Sequence, residues 1–285
     1  MITERKFEMK EIKLWENNTP YYNAEYGQPE PSMIPFIVEG SKYCMIVLPG
    51  GGYSMRAMEH EGYDIANLLN ENGISAFVVN YRVAPYDHRA FMADGKRAVR
   101  LVRYLAREYG YDERCIGIMG FSAGGHLCMV TSYHSDEGDP NAADPVERMS
   151  SRPNATALCY GVISLDFETH AGTRRNFIGK EITDEAEIDT FCKKYSGENS
   201  ITENTPPTFL WHTEADGGVP VSNSLNMAAA LCKNKIPCEL HIYPYGGHGK
   251  GLCVGKHEIP LAHTWFDQMV SFMKYHFDKT LAQEN

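Results

Sequence analysis

The stretch Cys115-Ile116-Gly117-Ile118-Met119-Gly120-Phe121-Ser122-Ala123-Gly124-Gly125-His126-Leu127 decides how the rest of the chain is read. An apolar run over 115–119 leads into Gly120-Phe121-Ser122-Ala123-Gly124, and a helical pattern through Leu127 and Val130 follows. A serine with small residues two positions to either side suits a tight strand-to-helix turn, which strains the backbone and lifts the hydroxyl above the sheet edge. The helix N-terminus behind it favours developing negative charge. The glycine-serine-glycine spacing alone arises by chance in roughly one chain of this length in ten. The strand before it and the helix after it give it weight.

Outward from this turn, short apolar runs recur at 44–48, 74–81, 157–163, 208–212 and 238–243, each bounded by Gly, Pro or polar residues. Such runs fit strands buried on both faces. Helical patterns lie between them at 59–70, 91–109 and 222–233, the last with Ser222 as its expected N-cap, and a closing amphipathic helix is expected over 261–277. Alternating strands and helices predict an α/β fold with a mostly parallel central sheet and helices on both faces. Residues 21–37 are expected to add antiparallel edge strands. With no internal repeat or linker, 1–285 reads as a single domain. Two polar stretches, 134–154 and 167–207, break the rhythm and are candidate lid or cap insertions.

Composition narrows the function classes. The 285 residues are 43% hydrophobic, ample for one sizeable core, and the formal net charge is -10. That acidity disfavours nucleic acid and anionic membrane surfaces as partners. No segment approaches the length of a membrane span. The eight cysteines are scattered, without zinc-like spacing, and read as reduced core thiols. With a charged 1–13 lacking the apolar run of a signal peptide, this predicts a cytoplasmic protein.

The chemistry-bearing residues follow from the demands of acyl transfer. Leu48-Pro49-Gly50-Gly51-Gly52-Tyr53 follows an apolar strand, and successive glycines let backbone N–H groups approach a ligand unobstructed. This is a candidate oxyanion hole, with Gly51 or Gly52 and Ala123 as donors. Neither a P-loop ending nor dinucleotide-binding glycine spacing accompanies it. A serine hydroxyl needs a base, and the base needs an acid to fix its tautomer. Asp216 follows the apolar run 208–212 and is the expected acid, with Glu214 as alternative. His248, within Gly246-Gly247-His248-Gly249 after the last run, is the expected base. The other histidines, His212 and His126 among them, are read as core or surface residues. Tyr53, Arg56 and Trp211 adjoin these motifs and are candidate substrate contacts.

Together these residues resemble the α/β-hydrolase superfamily over nearly the whole chain. More narrowly, the chain is similar to the acetyl-esterase and xylan-esterase-like branch near the hormone-sensitive-lipase group. The resemblance rests on Pro49-Gly50-Gly51-Gly52-Tyr53, Tyr81-Arg82-Val83-Ala84-Pro85, residues 120–127, Thr205-Pro206-Pro207-Thr208-Phe209, and Gly246-Gly247-His248-Gly249. It departs from lipases of that group in carrying Pro49 where they have His, and in carrying two glycines, Gly217-Gly218, after Asp216. It implies a Ser122–His248–Asp216 triad acting on a small-molecule ester, such as an acetylated sugar, without metal or organic cofactor. Tyr81-Arg82 and Asp94 are expected to be scaffold. An amide or peptide hydrolase with the same triad, or an inactive binding protein of the same fold, are the alternative readings. The oligomeric state is not legible.

Overall fold

Each of the central strands carries two apolar faces, and this dictates helices on both sides of the sheet. In the strand Cys44–Leu48, residues Cys44, Ile46 and Leu48 enter one core and Met45 and Val47 the other. The computed structural model describes residues 10–283. Residues 1–9 of the charged N-terminal stretch, and 284 and 285, lie outside the described residues.

Eight strands form one sheet: β1 (Ile12–Lys13), β2 (Ser32–Phe36), β3 (Cys44–Leu48), β4 (Ser75–Asn80), β5 (Ile116–Phe121), β6 (Ala155–Cys159), β7 (Thr208–Thr213) and β8 (Cys238–Tyr243). Their order is β1-β2-β4-β3-β5-β6-β7-β8. The β1–β2 and β2–β4 pairs are antiparallel and all the others parallel. Helices α1 (Asp64–Glu71) and α7 (Trp265–Ala282) bury Ile65, Leu69, Trp265 and Met269 against one face. Helices α2 (His88–Tyr109), α3 (Ala123–Tyr133) and α6 (Ser222–Lys233) bury Phe91, Val102, Leu127, Val130, Met227 and Leu231 against the other. This is the α/β-hydrolase architecture expected from the sequence. No helix among the described residues is long and apolar enough to cross a membrane.

Several boundaries differ from the expected ones, each for a local reason. The run 157–163 pairs only through Cys159, because Tyr160 adopts φ +37° and the chain turns away from the sheet. Of 21–37, only Ser32–Phe36 is strand, and Asn23 caps a single short turn at Ala24–Tyr26. Ser222 is not the N-cap of α6. Val221 occupies that position and the Ser222 hydroxyl donates to Glu168 instead. The last helix begins at Trp265, since Leu261 sits at φ +67°.

The two insertions part company. Residues 134–154 connect the end of α3 to the start of β6, at the edge of the sheet opposite Ser122. There Arg97 and Arg100 of α2 engage Asp144, Glu147 and Asp136. This stretch thus leaves the helix at the end away from the serine turn. Residues 167–207 leave the opposite edge and contain α4 (Ala171–Ile178) and α5 (Glu185–Lys194). Phe177 of α4 is buried against Tyr53, Phe91 and His126.

Beyond β4 the backbone is held by an internal ion pair. The Arg82 guanidinium and Asp94 carboxylate are both buried, with Nη2–Oδ1 at 2.6 Å and Nε–Oδ2 at 3.0 Å, and the Arg82 N–H donates to Asp94 as well. Removing one partner strands the other charge out of water. Asp94→Ala is expected to lower unfolding free energy by about 3–5 kcal/mol in urea titration, whereas Asp189→Ala, at the exposed Lys193–Asp189 pair, costs about 1 kcal/mol or less.

Candidate active site

Ser122 lies between β5 and α3 at φ +54°, ψ −119°, a strained conformation for a residue with a side chain. The strain is enforced by crowding. A Cβ on Gly120 would stand 2.1 Å from the Gly124 carbonyl oxygen, and one on Gly124 would stand 2.2 Å from that of Leu48. Only glycine fits at either position, so the spacing read from the sequence has a steric cause.

The structure brings Ser122, His248 and Asp216 into one hydrogen-bonded line. His248 Nε2 is 2.7 Å from Ser122 Oγ, and Nδ1 is 2.8 Å from Asp216 Oδ2. Since the carboxylate can only accept, the Nδ1 proton is directed to it, leaving Nε2 to accept from the serine hydroxyl. The Asp216 side chain is nearly inaccessible. Its Oδ1 accepts the N–H groups of Gly218 (2.8 Å) and Val219 (3.0 Å). Burial pushes its carboxyl upward, but hydrogen bonds from His212, His248 and the Val219 N–H outweigh this and hold it well below the usual carboxylate range. Glu214 is exposed, and its N–H bonds the Tyr243 carbonyl; its side chain takes no part in this line. Of the pair Gly217-Gly218, the second has a steric reason. A Cβ on Gly218 would meet the His248 Cβ and Cγ at 2.9 Å, so a side chain there would displace the ring.

The triple-glycine loop folds over Ser122. A Cβ on Gly50 would come within 3.0 Å of the Ser122 Cβ. The Gly50 N–H is engaged by Glu61 Oε2 at 2.8 Å and is not free for a ligand. The Gly51 carbonyl accepts from Ser54 and Met55, and the Gly52 carbonyl accepts from Asn176 Nδ2 of α4 at 2.8 Å. Both carbonyls are thus tied to protein donors, and among the described residues the N–H groups of Gly51, Gly52 and Ala123 make no hydrogen bond.

The expected substrate contacts fare differently. Tyr53 is fully buried, stacked on Phe91 at 4.5 Å with its hydroxyl 3.0 Å from His126 Nδ1. Trp211 is also fully buried, stacked on Trp265 at 5.0 Å. Neither can touch substrate; their apolar rings complete the two cores under the site. Arg56 is half-buried and donates to the Tyr81 carbonyl at 2.7 Å, which anchors the glycine loop to the end of β4.

Three residues escaped the sequence reading. His212 is buried on β7, with Nε2 3.3 Å from Asp216 Oδ2 and 3.0 Å from the Val219 carbonyl, so its proton there faces two acceptors beside the acid. His170, at the start of α4, stands 3.6 Å by its Cε1 from where a Gly52 Cβ would be. Its Nδ1 accepts the Thr173 N–H at 3.1 Å, which leaves Nε2 to carry the ring proton, unpaired among the described residues. Glu61 is buried between the glycine loop and Tyr160. Glu61 lies in the π-helical turn Glu59–Tyr63 that precedes α1, so a 3.6-residue pattern does not show which way its side chain faces.

The geometry agrees with the comparisons to known proteins. A family model described as BD-FAE matches residues 34–231, about two thirds of the chain. The chain belongs to the BD-FAE family. The matched span contains Ser122 and Asp216, and His248 lies beyond it. Among similar solved structures, an acetyl ester-xyloside bifunctional hydrolase from Caldicellulosiruptor lactoaceticus is 42% identical, with a TM-score of 0.86, over 94% of this chain and 96% of that one. Endo-1,4-beta-xylanase B of Butyrivibrio fibrisolvens is 37% identical over 83% of this chain and 37% of its own length. Acetylxylan esterase of Xylanibacter ruminicola is 37% identical over 77% of this chain and 43% of its own length. The BD-FAE chain thus spans less than half the length of these two curated relatives.

His126, four residues after Ser122, gives the site a pH signature. Burial holds its imidazole at about 3, and it stays neutral between Tyr53 and the Tyr195 carbonyl. With the folded value below the unfolded one of about 6.5, the unfolded state takes up the extra proton as pH falls. Its contribution is therefore present above about pH 6.5 and lost on acidification toward pH 3, at up to about 1.4 kcal/mol per pH unit. His126→Gln is expected to flatten that slope in urea melts between pH 6 and 4; an unchanged slope would show that His126 is not its source.

Proposed function

We propose that this chain is a serine carboxylic-ester hydrolase that removes acetyl groups from xylose-containing saccharides. The observation that carries the chemistry is the unbroken line Ser122 Oγ–His248–Asp216, at 2.7 and 2.8 Å, beneath a loop whose Gly51 and Gly52 N–H groups make no hydrogen bond among the described residues. The substrate class is supported by the printed activities of the acetylxylan esterase and the acetyl ester-xyloside hydrolase that the chain is similar to.

In this reading Ser122 Oγ attacks the acetyl carbonyl carbon while His248 Nε2 takes its proton. Asp216 holds the imidazole in the reactive tautomer and stabilises the imidazolium. The carbonyl oxygen becomes an oxyanion facing the N–H groups of Gly52 (or Gly51) and Ala123, with the α3 N-terminus behind it. Collapse breaks the ester C–O bond, and His248 gives its proton to the departing sugar oxygen. A water molecule, deprotonated by His248, then attacks the acetyl-Ser122 ester and acetate leaves, restoring the serine. His170 Nε2–H, beside Gly52, supplies a donor for a sugar hydroxyl, and α4 carries it there.

The test is acetate release from acetylated xylo-oligosaccharides, with an aryl acetate and an aryl octanoate alongside. Wild type is expected to release acetate from the saccharide and to prefer the acetate ester. Ser122→Ala is expected to lose at least about 10³-fold in kcat, and Asp216→Asn about 10⁴-fold. Aryl acetate cleavage without saccharide deacetylation would overturn the substrate; equal rates for wild type and Ser122→Ala would overturn the mechanism.

A further inference from the structure

Glu61 has no part in the steps above, yet the residue is 2% exposed and its carboxylate sits where three active-site segments meet. Oε2 accepts the Gly50 N–H at 2.8 Å, in the loop that carries the N–H groups of Gly51 and Gly52. Oε1 accepts the Tyr160 hydroxyl at 2.7 Å. That hydroxyl in turn accepts the Gly251 N–H at 2.8 Å, three residues after His248. The Tyr160 ring packs edge-on against the His248 ring, with centroids 5.2 Å apart at 73°. The nearest cationic candidate is His60, with Nε2 3.9 Å from Oε1 and outside hydrogen-bond distance.

A carboxylate withdrawn from water without an arginine or lysine partner is costly to keep. A structural cross-link between loops could be made with a neutral amide. What the carboxylate adds is two acceptors on one rigid planar group, each taking a charge-assisted hydrogen bond. The two bonds run to the two halves of the reacting geometry. Through Gly50 the group sets the glycine loop, and through Tyr160 it sets the loop and the ring of the base.

We infer that Glu61 is a positioning residue, holding the oxyanion-binding loop and the His248 loop in fixed register through Gly50 and Tyr160. The inference rests on the acyl-transfer reading above. The register matters most in the transition state, when the carbonyl oxygen moves toward the loop N–H groups as the proton moves to His248. Loss of the clamp therefore lowers kcat and leaves KM for a small ester nearly unchanged.

Glu61→Gln keeps the size of the side chain but offers only one acceptor oxygen and adds a donor. Tyr160→Phe keeps the ring against His248 and cuts the link to Glu61 and Gly251. Steady-state hydrolysis of an aryl acetate by wild type, Ser122→Ala, both variants and the double variant separates the possibilities. Each single variant is expected to lose roughly 10- to 100-fold in kcat with KM within about twofold. The double variant is expected to lose little more than the worse single one, because both cut the same link. If wild type hydrolyses the ester and Ser122→Ala does not, but Tyr160→Phe keeps kcat within twofold, the inference is overturned and the triad stands. A lower melting temperature with unchanged kcat in either variant overturns it equally, as does full additivity in the double variant. If Glu61→Gln does not fold, the Tyr160→Phe result decides alone. No hydrolysis by wild type would instead overturn the acyl-transfer reading.

Discussion

The steric exclusion around Ser122 is the constraint on which the rest depends. Because no Cβ fits at Gly120 or Gly124, the chain turns from β5 into α3 in one abrupt step, and the serine is left at φ +54°. A strained residue persists only when its surroundings over-determine it. Here those surroundings are extensive: the Ser122 N–H donates to the Cys159 carbonyl at 3.1 Å, and its own carbonyl accepts from Val162 and His126. The neighbouring strands β3 and β6 thus fix the turn from both sides. The nucleophile is mounted on a turn bonded to the sheet's central strands, and precise acyl transfer requires such fixed placement.

The remaining site residues hang from the same edge of the parallel sheet, where each strand ends and a loop begins. The loop after β3 carries the glycines, the segment after β6 carries Tyr160 and then α4, the loop after β7 carries Asp216, and the loop after β8 carries His248. Loops of different strands have no reason to keep register by themselves. Side-chain bonds tie them instead: Tyr81 Oη to the Pro49 carbonyl at 2.5 Å, Asn176 to Gly52, Thr213 to Gly246 at 3.0 Å, and Glu61 to both Gly50 and Tyr160. Electrostatics run along the same line. Four donors converge on Asp216, so it stays ionised beside a histidine that must become positive during the reaction.

What the sequence revealed and what it hid divide along this boundary. The strand core, the serine turn, the glycine loop and the order serine, acid, base were legible because each is encoded in contiguous residues or in chain order. The two glycines after Asp216 looked like a departure until Gly218 proved to make room for the His248 ring. Tyr53 and Trp211 misled because adjacency to a motif in sequence says nothing of which way a side chain faces. Both point into the core. Glu61 was hidden because its partner Tyr160 is 99 positions away, and His212 because nothing in an apolar strand shows that its ring turns toward Asp216, four residues on. The 134–154 insertion is a helix-to-strand connection, from α3 to β6. A helix-to-strand connection in a parallel sheet lies opposite the edge that carries the site.

The most direct test of the central claim, that Ser122 is an activated nucleophile, is covalent capture. The native chain would be treated with an aryl phosphonate ester and its intact mass and tryptic peptides measured. The account predicts a single adduct on the peptide carrying Ser122, with labelling slowed by several orders of magnitude in His248→Ala. An adduct on another residue, or labelling at the same rate without His248, would contradict it.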